Sequence, residues 1–473
     1  MYEEWTGADA TALRKTLGLT VRRFADHAVV SEGAVKKWSA ALGAVTLNEQ
    51  SVAALESMLA GLSPTQRVRF EKLRAAYAVA AAARALEPVS AAAADTIWAA
   101  DTTAIAHDLA RKDMLLDRRQ ASQALVGLVV GVGLLEPLER WLLRRPPAGG
   151  SMTARRYPEI DELEHTAQMF RAWDDRFGGG LRRKAVVGQL DEVNELVRDE
   201  SDPGVRRRLQ RVMSLLSETA ATMAWDSGDQ QAAQGYYVLA VKSGRESEDP
   251  ALCANAIAGM ARQMLTLDTT GSAADRTAFR HARAADALEL VRVAQDHFAD
   301  RVTATMRALM FTREAWAYAR LGRPSAFERA ADKARSAFAT ADVAEDPYWI
   351  HYFDAAELSG TLGGRLLELA REEPAYAGQA AEAIDEAITL RQPERWRSSA
   401  LDQLGTAEAR LIQGEYEEAN RLGLRALETA GQTRSHRVQR KVSHIFARTE
   451  QCGDAQPVVE LRDMLRPLAP SPA

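Results

Sequence analysis

Two pairs of basic side chains stand close together near the N-terminus, at Arg22-Arg23 and at Lys36-Lys37. All six basic residues of the first 60 lie between positions 14 and 37, where two acidic residues oppose them, so this segment has a net charge of six minus two, or +4. The whole chain has a net charge of −5. Guanidinium and ammonium groups concentrated in this way bind phosphate oxygens. We therefore expect phosphate-binding chemistry between residues 20 and 38.

The hydrophobic spacing around these pairs predicts three short helices. A first helix carries Leu13 and Leu17 and ends at Gly18, and the hydroxyl residues Thr20 and Ser31 cap a second and a third. The residues expected to face inward on these two later helices are Phe24, Ala25, Ala28, Val35 and Trp38. Because the small alanine lets the two helices cross closely, the pattern predicts the geometry in which a third helix enters the major groove of DNA.

The segment resembles the Cro/repressor-like helix-turn-helix of bacterial regulators of the xenobiotic-response-element type. The matching residues are Leu17-Gly-Leu-Thr20, Phe24-Ala25, Val30-Ser31, Val35 and Trp38. The resemblance implies that one set of residues faces the groove and that a second set lies near backbone phosphate. These sets are Ser31, Glu32, Gly33, Lys36 and Lys37 for the groove, and Thr20, Arg22 and Arg23 for the phosphates.

Two residues depart from the pattern of that family. Val29 stands where the family usually has glycine with a positive φ, and Glu32 places an acidic group where DNA would approach. A glutamate there either accepts a hydrogen bond from a cytosine amino group or repels phosphate. The alternative interpretation is a three-helix bundle that has kept its fold and does not bind DNA.

A second pattern recurs through the C-terminal part of the chain. Gly228 is followed by alanine five and twelve residues later, and Gly414 is followed by alanine at the same two distances. A glycine at the end of one helix and two small residues on one face of the next resemble the tetratricopeptide repeat. Weaker copies occur at Gly322/Ala334, Ala287/Ala294 and Ala380/Ala387. A stack of such hairpins predicts a superhelix whose concave face suits a peptide or another extended ligand.

Three segments of this region are richer in polar and aromatic residues than a plain core requires. From them we predict a ligand-binding surface that consists of Asn255, Arg262, Arg313, Tyr318, Trp349 and Tyr352. Structural packing between repeats is the alternative explanation for the aromatic residues.

Composition divides the 473-residue chain into three parts. We expect a helix-turn-helix domain at 1–60, a helical linker at 61–150 that is a candidate for dimerisation, and a repeat domain at 151–466. Alanine, leucine, arginine and glutamate dominate and β-branched alternation is missing, so the predicted fold class is all-α.

The order of these parts resembles two groups of bacterial regulators. One group is the peptide-pheromone quorum-sensing regulators, and the other is a set of actinobacterial regulators associated with development and secondary metabolism. The second resemblance also rests on Trp173-Asp-Asp-Arg-Phe-Gly-Gly-Gly180, Trp225-Asp-Ser-Gly228 and Asp346-Pro-Tyr-Trp-Ile350. It implies a homodimer that binds a double-stranded DNA operator under the control of a peptide or small-molecule ligand.

The sequence carries no pattern typical of an enzyme, a metal site or a cofactor site. His436 and His444 fit no zinc-protease motif, and Cys253 and Cys452 are too few for a disulfide scaffold or an iron–sulfur cluster. The longest apolar run, 124–135, has twelve residues, whereas a membrane span needs about 20. The acidic N-terminus does not resemble a signal peptide. We expect a cytoplasmic protein without enzyme activity, cofactor or membrane partner.

Three functional hypotheses follow from these patterns. The first, which the sequence favours, is a ligand-responsive transcriptional regulator. The second is an interaction scaffold or antagonist whose helix-turn-helix module does not read DNA. The third is a sensor of a small metabolite, in which the repeats close into a pocket instead of lining an open groove.

Overall fold

The chain is helical throughout the residues that the structure describes. The computed structural model describes residues 5–28, 30–41, 47, 49–64, 66–67, 69–71, 73–74, 98–114, 132–143, 158–177, 183–267, 273–430 and 436–467. No β-strand occurs in these ranges, which confirms the predicted all-α fold class. Every helix within them is too short or too polar to cross a lipid bilayer.

The N-terminal helices form a small unit with a hydrophobic core of its own. They are α1 (Gly7–Thr16), α2 (Val21–Ala28), α3 (Glu32–Ala41) and α4 (Glu49–Ala60). Thr6 and Asp9 cap the start of α1 reciprocally, and Gly18 follows its end with a φ of 66°, which glycine adopts without strain. The core of this unit includes Trp5, Leu13, Phe24, Val35, Trp38, Leu55 and Phe70.

Two helices from the predicted linker region share a hydrophobic core with the C-terminal helices. They are α5 (Thr102–Met114) and α6 (Val132–Leu143). Just before α5, the backbone oxygens of Trp98 and Ala100 accept hydrogen bonds of 2.9 and 2.7 Å from the Lys242 ammonium group. The last residues of the predicted linker, 144–150, are rich in proline and glycine and lie outside the described residues.

The C-terminal region starts with α7 (Pro158–Phe177) and α8 (Arg183–Asp199) and continues, in the described part of the chain, as six helix hairpins. The hairpins are α9 (Pro203–Asp226) with α10 (Gln230–Glu246), α11 (Pro250–Thr266) with α12 (Ala273–Phe298), α13 (Ala304–Arg320) with α14 (Pro324–Phe338), α15 (Ala355–Ala370) with α16 (Ala377–Leu390), α17 (Trp396–Gln413) with α18 (Tyr416–Ala430), and α19 (His436–Thr449) with α20 (Gln456–Leu465). The first helix of each hairpin also contacts the first helix of the next, and α7 contacts α9. The odd-numbered helices from α7 to α19 therefore form one continuous row, which we call the inner row.

The hairpins form where the glycine and alanine pattern predicts them. Gly228, Gly322 and Gly414 follow α9, α13 and α17 with φ values of 87°, 62° and 80°, so each glycine allows the left-handed turn that ends a helix. The predicted small residues of the second helices are all fully buried: Ala233, Ala240, Ala287, Ala294, Ala334, Ala380, Ala387, Ala419 and Ala426. Larger side chains at these positions would hold the paired helices apart.

The inner row curves until its late helices meet its early ones. α17 contacts α7, and Arg397 at the start of α17 lies 3.9 Å from the carboxylate of Asp226 at the end of α9. The 3₁₀ turn Tyr348–Ile350, in the loop between α14 and α15, also reaches α7. The row thus encloses a lumen, whereas a stack of hairpins alone predicts an open concave face. Side-chain contacts between helices that are distant in the sequence stabilise this closed form.

Candidate functional site

The two capping residues predicted around α2 and α3 act as caps in the structure. The Thr20 hydroxyl accepts a hydrogen bond of 3.3 Å from the Arg23 amide, and the Ser31 hydroxyl accepts one of 3.1 Å from the Ala34 amide. The five residues expected to face inward are all buried: Phe24, Ala25, Ala28, Val35 and Trp38. The sequence-based caps and inward faces of both helices are therefore confirmed.

The opposite faces of α2 and α3 are exposed and carry most of the predicted DNA-contact residues. The exposed residues at the start of α2 are Thr20, which precedes the helix, and Arg22 and Arg23, which lie on it. The exposed residues at the start of α3 are Ser31, which precedes the helix, and Glu32, Gly33 and Lys36. The Lys36 ammonium lies 4.0 Å from the Glu32 carboxylate, a distance at which an exposed pair contributes little stability. The Lys37 side chain and Val29 lie outside the described residues. The charge of Glu32 is thus partly offset by Lys36.

The second candidate site is the lumen of the inner row, where arginines gather around two tryptophans. Arg262 of α11 donates hydrogen bonds of 2.8 Å to the Tyr237 hydroxyl and 3.2 Å to the Thr222 hydroxyl. Its guanidinium lies 4.2 Å from the centre of the Trp225 ring, and the guanidinium of Arg437 lies 4.9 Å from the same ring. Such cation–π contacts hold each guanidinium plane in place while leaving N–H groups free to bind a ligand.

Arg313 of α13 lies between these groups and the loop that crosses to α7. It is 8% exposed and interacts electrostatically with Tyr352, Arg262 and Glu357. Within the described residues it has neither an ion pair nor a hydrogen bond through its side chain. Burial lowers the pKa of Arg313, and the charge of Arg262 lowers it further. Arg313 is thus a buried cation that the rest of the lumen does not neutralise.

Arg365 of α15 extends the same group of charges. Its guanidinium stacks 3.3 Å from the centre of the Trp316 ring and lies 3.5 Å from the Glu368 carboxylate. Burial lowers the pKa of Arg365 to about 9, and Arg313 and Arg437 add to this effect against the opposing charge of Glu368. Burial, then repulsion from Arg397, lowers the pKa of Arg437 to about 10. These cations remain charged at neutral pH, but their mutual repulsion is costly in the absence of an anion.

Arginines elsewhere in the lumen are paired with carboxylates. Arg391 contacts Glu357 and Asp402, each at 2.7 Å. Arg371 contacts Glu408 at 2.7 Å, and Glu408 also accepts a hydrogen bond from Lys441. Buried charges with partners of this kind are typical of structural ion pairs. Arg262, Arg313, Arg365 and Arg437 have no carboxylate contact as short as these among the described residues, and we call these four residues the arginine quartet.

A small cavity lies next to the quartet. Asn255 of α11, Trp349 of the crossing loop and the ion pair Arg171–Glu218 are among its lining residues. The Arg171 guanidinium also lies 5.0 Å from the Tyr352 ring. The indole nitrogen of Trp349 is buried and has no hydrogen-bond acceptor among the described residues. The cavity therefore has a donor that is available to an additional group.

Five of the six predicted ligand-binding residues lie in this region of the fold. Asn255 and Trp349 line the cavity, and Arg262, Arg313 and Tyr352 interact electrostatically with one another. Tyr318 lies apart from them and interacts electrostatically with Arg292 of α12.

Sequence reasoning missed Arg365, Arg437 and the role of Trp225. A usable signal for Arg365 is its position in an otherwise apolar or small segment, 362–367, of the first helix of a hairpin.

Comparison of the chain with protein-family models, with curated proteins and with solved structures gave no match. In the described ranges, no group of three or more histidine, cysteine, aspartate or glutamate side chains is placed to hold a metal ion. The site is therefore interpreted from its own geometry.

Proposed function

We propose that this protein is a DNA-binding transcriptional regulator whose helical array senses a ligand. The observation that carries the proposal is the orientation of α3. Val35 and Trp38 bury one face of α3 in the N-terminal core, while residues 31–33 and Lys36 are exposed on the other. A helix that follows another after a short turn and exposes its first two turns has the form of a recognition helix.

The array supports the sensing half of the proposal. Within it we assign the first five hairpins to the tetratricopeptide class, because buried alanines lie at the expected positions in all five and a left-handed glycine follows the first helix in three of them. The resemblance that the sequence shows to bacterial regulators adds a homodimer and a double-stranded DNA operator to the proposal. The lumen favours a compact ligand over a long peptide, because α7 and α17 are in contact and close the row.

The proposal is tested by selecting sequences from random duplex DNA with the full-length protein, and then titrating the selected duplex at several salt concentrations. We expect one enriched sequence, and an association constant whose logarithm falls linearly with the logarithm of the salt concentration. The double variant Lys36→Ala/Lys37→Ala should reduce the slope of that line by about two, since each lysine that contacts a phosphate contributes about one.

The matched control is Lys184→Ala/Arg329→Ala, which removes two exposed basic residues from α8 and α14. It should leave the slope unchanged, and circular dichroism should show the same helix content in both double variants. A selection that enriches no sequence, with no salt-dependent binding, would instead favour the scaffold or antagonist hypothesis, in which the protein captures a partner protein and not an operator.

A further inference from the structure

Three members of the arginine quartet form no ion pair with a carboxylate among the residues that the structure describes. The side-chain hydrogen bonds of Arg262 in these residues go to the hydroxyl groups of Tyr237 and Thr222. Neither Arg313 nor Arg437 forms an ion pair with any residue that the structure describes. Buried cations are normally paired, because an unpaired charge loses its hydration without compensation. In the described part of the lumen, Arg313 and Arg437 therefore lack a direct carboxylate contact, and Glu357 and Asp226 act on them only at longer range.

The fourth member, Arg365, shares with other arginines the one carboxylate that it contacts among the described residues. Glu368 lies 3.2 Å from Arg320, 3.5 Å from Arg365 and 3.9 Å from Arg371. One negative charge thus serves three guanidinium groups. The quartet is linked by repulsion: Arg313 interacts with Arg262 and Arg365, and Arg437 interacts with the same two residues.

Two tryptophans restrict the directions in which three members of the quartet can donate hydrogen bonds. Arg262 and Arg437 stack on Trp225, and Arg365 stacks on Trp316. A guanidinium that is held by its face has its N–H groups at its edge, where it binds the oxygens of a carboxylate or a phosphate in a bidentate manner. These three guanidinium groups are therefore already positioned before a ligand arrives, which reduces the entropy lost on binding.

We propose that the arginine quartet binds a compact polyanion, a small molecule with at least two negatively charged phosphate or carboxylate groups. This inference rests on the proposed function for its regulatory meaning, but the binding itself is independent of DNA. DNA is not the occupant, because the contact between α7 and α17 closes the row around the site. Three of the four arginines are half-buried and Arg313 is buried. Such a group of charges is suited to a small anion with a high negative charge.

The inference predicts that the quartet destabilises the folded protein when no anion is bound. Replacing Arg313 by methionine keeps the apolar stem and removes an unneutralised charge, so the unliganded variant should melt at a higher temperature than the wild type. A purely structural role predicts the opposite. The same substitution should weaken anion binding by about tenfold or more, since a charge-assisted hydrogen bond is lost.

The experiment uses the full-length protein without DNA. Titration calorimetry and thermal melting are carried out with pyrophosphate and with citrate as probes, against potassium chloride at the same ionic strength. We expect saturable binding and a raised melting temperature with at least one probe. Stronger binding of pyrophosphate would indicate a phosphate ligand, and stronger binding of citrate would indicate a carboxylate ligand.

The matched control is Arg292→Met, which removes an exposed arginine from the outer helix α12. It should bind both probes as the wild type does.

Arg437→Met is a second quartet variant, so the inference is tested even where one substitution prevents folding. Because wild-type binding is measured directly, a response to both probes that equals the response to chloride overturns the inference. Unchanged binding by a folded quartet variant overturns it too. Neither result affects the DNA-binding proposal, which the duplex selection tests separately.

Discussion

The guanidinium of Arg437 lies 4.9 Å from the centre of the Trp225 ring, which joins the last hairpin of the array to the first. Trp225 also lies 4.2 Å from Arg262 and donates a hydrogen bond of 2.7 Å to the Thr266 hydroxyl. A single indole from α9 thus contacts side chains of both α11 and α19. Trp225 is thus one of the points at which the first and last hairpins meet and the row closes.

The substitution Trp225→Leu tests whether these contacts stabilise the closed row. Trp225 is 2% exposed, and loss of most of a buried tryptophan should lower the free energy of unfolding by roughly 3 kcal/mol. Hydrogen exchange should accelerate in both α9 and α19, although these helices are far apart in the sequence. Trp5→Leu is the matched control, because Trp5 is equally buried in the separate N-terminal core. Protection of α19 that survives Trp225→Leu would show that the contact does not stabilise closure.

Gly259 offers a test of helix packing beside the quartet. A Cβ atom at this position would lie 2.3 Å from a ring carbon of Tyr237, and the Tyr237 hydroxyl holds Arg262. Gly259→Ala should therefore destabilise the protein by about 1–3 kcal/mol and displace Arg262 as well, so anion binding should weaken in the same variant. Urea denaturation and calorimetry measure the two effects.

The control for this prediction is Gly364→Ala on α15. A Cβ atom at Gly364 meets no other atom within 4 Å, so the variant should gain up to about 1 kcal/mol from its better helix propensity. Equal effects of the two substitutions would mean that backbone propensity, and not the contact with Tyr237, determines the result.

Glu368 predicts how the stability of the array depends on pH. Burial by itself would raise the pKa of Glu368, but Arg320, Arg371 and Arg365 outweigh burial and lower it to about 2. The pKa is near 4.5 in the unfolded chain, so the contribution to stability is complete above pH 4.5 and is lost as the pH falls towards 2. This contribution amounts to roughly 3 kcal/mol.

Urea unfolding of the wild type and of Glu368→Gln, between pH 6 and pH 3, measures this effect. The difference in the free energy of unfolding between the two proteins should be largest at pH 6 and should shrink as the pH falls. Glu289→Gln, at an exposed pair with Arg292, should show a small difference at every pH. A constant difference for Glu368→Gln would mean that its charge is not the source of the stabilisation.

Features that depend on neighbouring residues in the sequence were predicted well. The caps at Thr20 and Ser31, the turns at Gly228 and Gly414 and the buried faces of α2 and α3 are all present. Each follows from hydrogen bonding, side-chain size or hydrophobic period within one or two helical turns, so the sequence carries the complete signal. The exposed side of α3 follows from the same period.

The ligand surface was predicted only in part, because identical residue types were placed differently by packing. Tyr318 and Tyr352 are both half-buried tyrosines, yet Tyr318 interacts with Arg292 of α12 while Tyr352, in the loop before α15, lies beside Arg171 and Arg313. For Tyr318, the rotation of α13 against its neighbours decides whether its face of the helix meets the lumen. That rotation depends on contacts with helices distant in the chain, which no local pattern encodes.

The amino-acid sequence alone determined that this protein is helical, where its hairpins turn and which short basic segment faces solvent. Only the tertiary structure decided that the inner row closes, that Arg391 is paired, and that Arg313 and Arg437 have no ion pair among the residues it describes. The physical reason is that helix formation is governed by nearby residues, whereas the balance of charge in the lumen depends on how far the whole array curves before its ends meet.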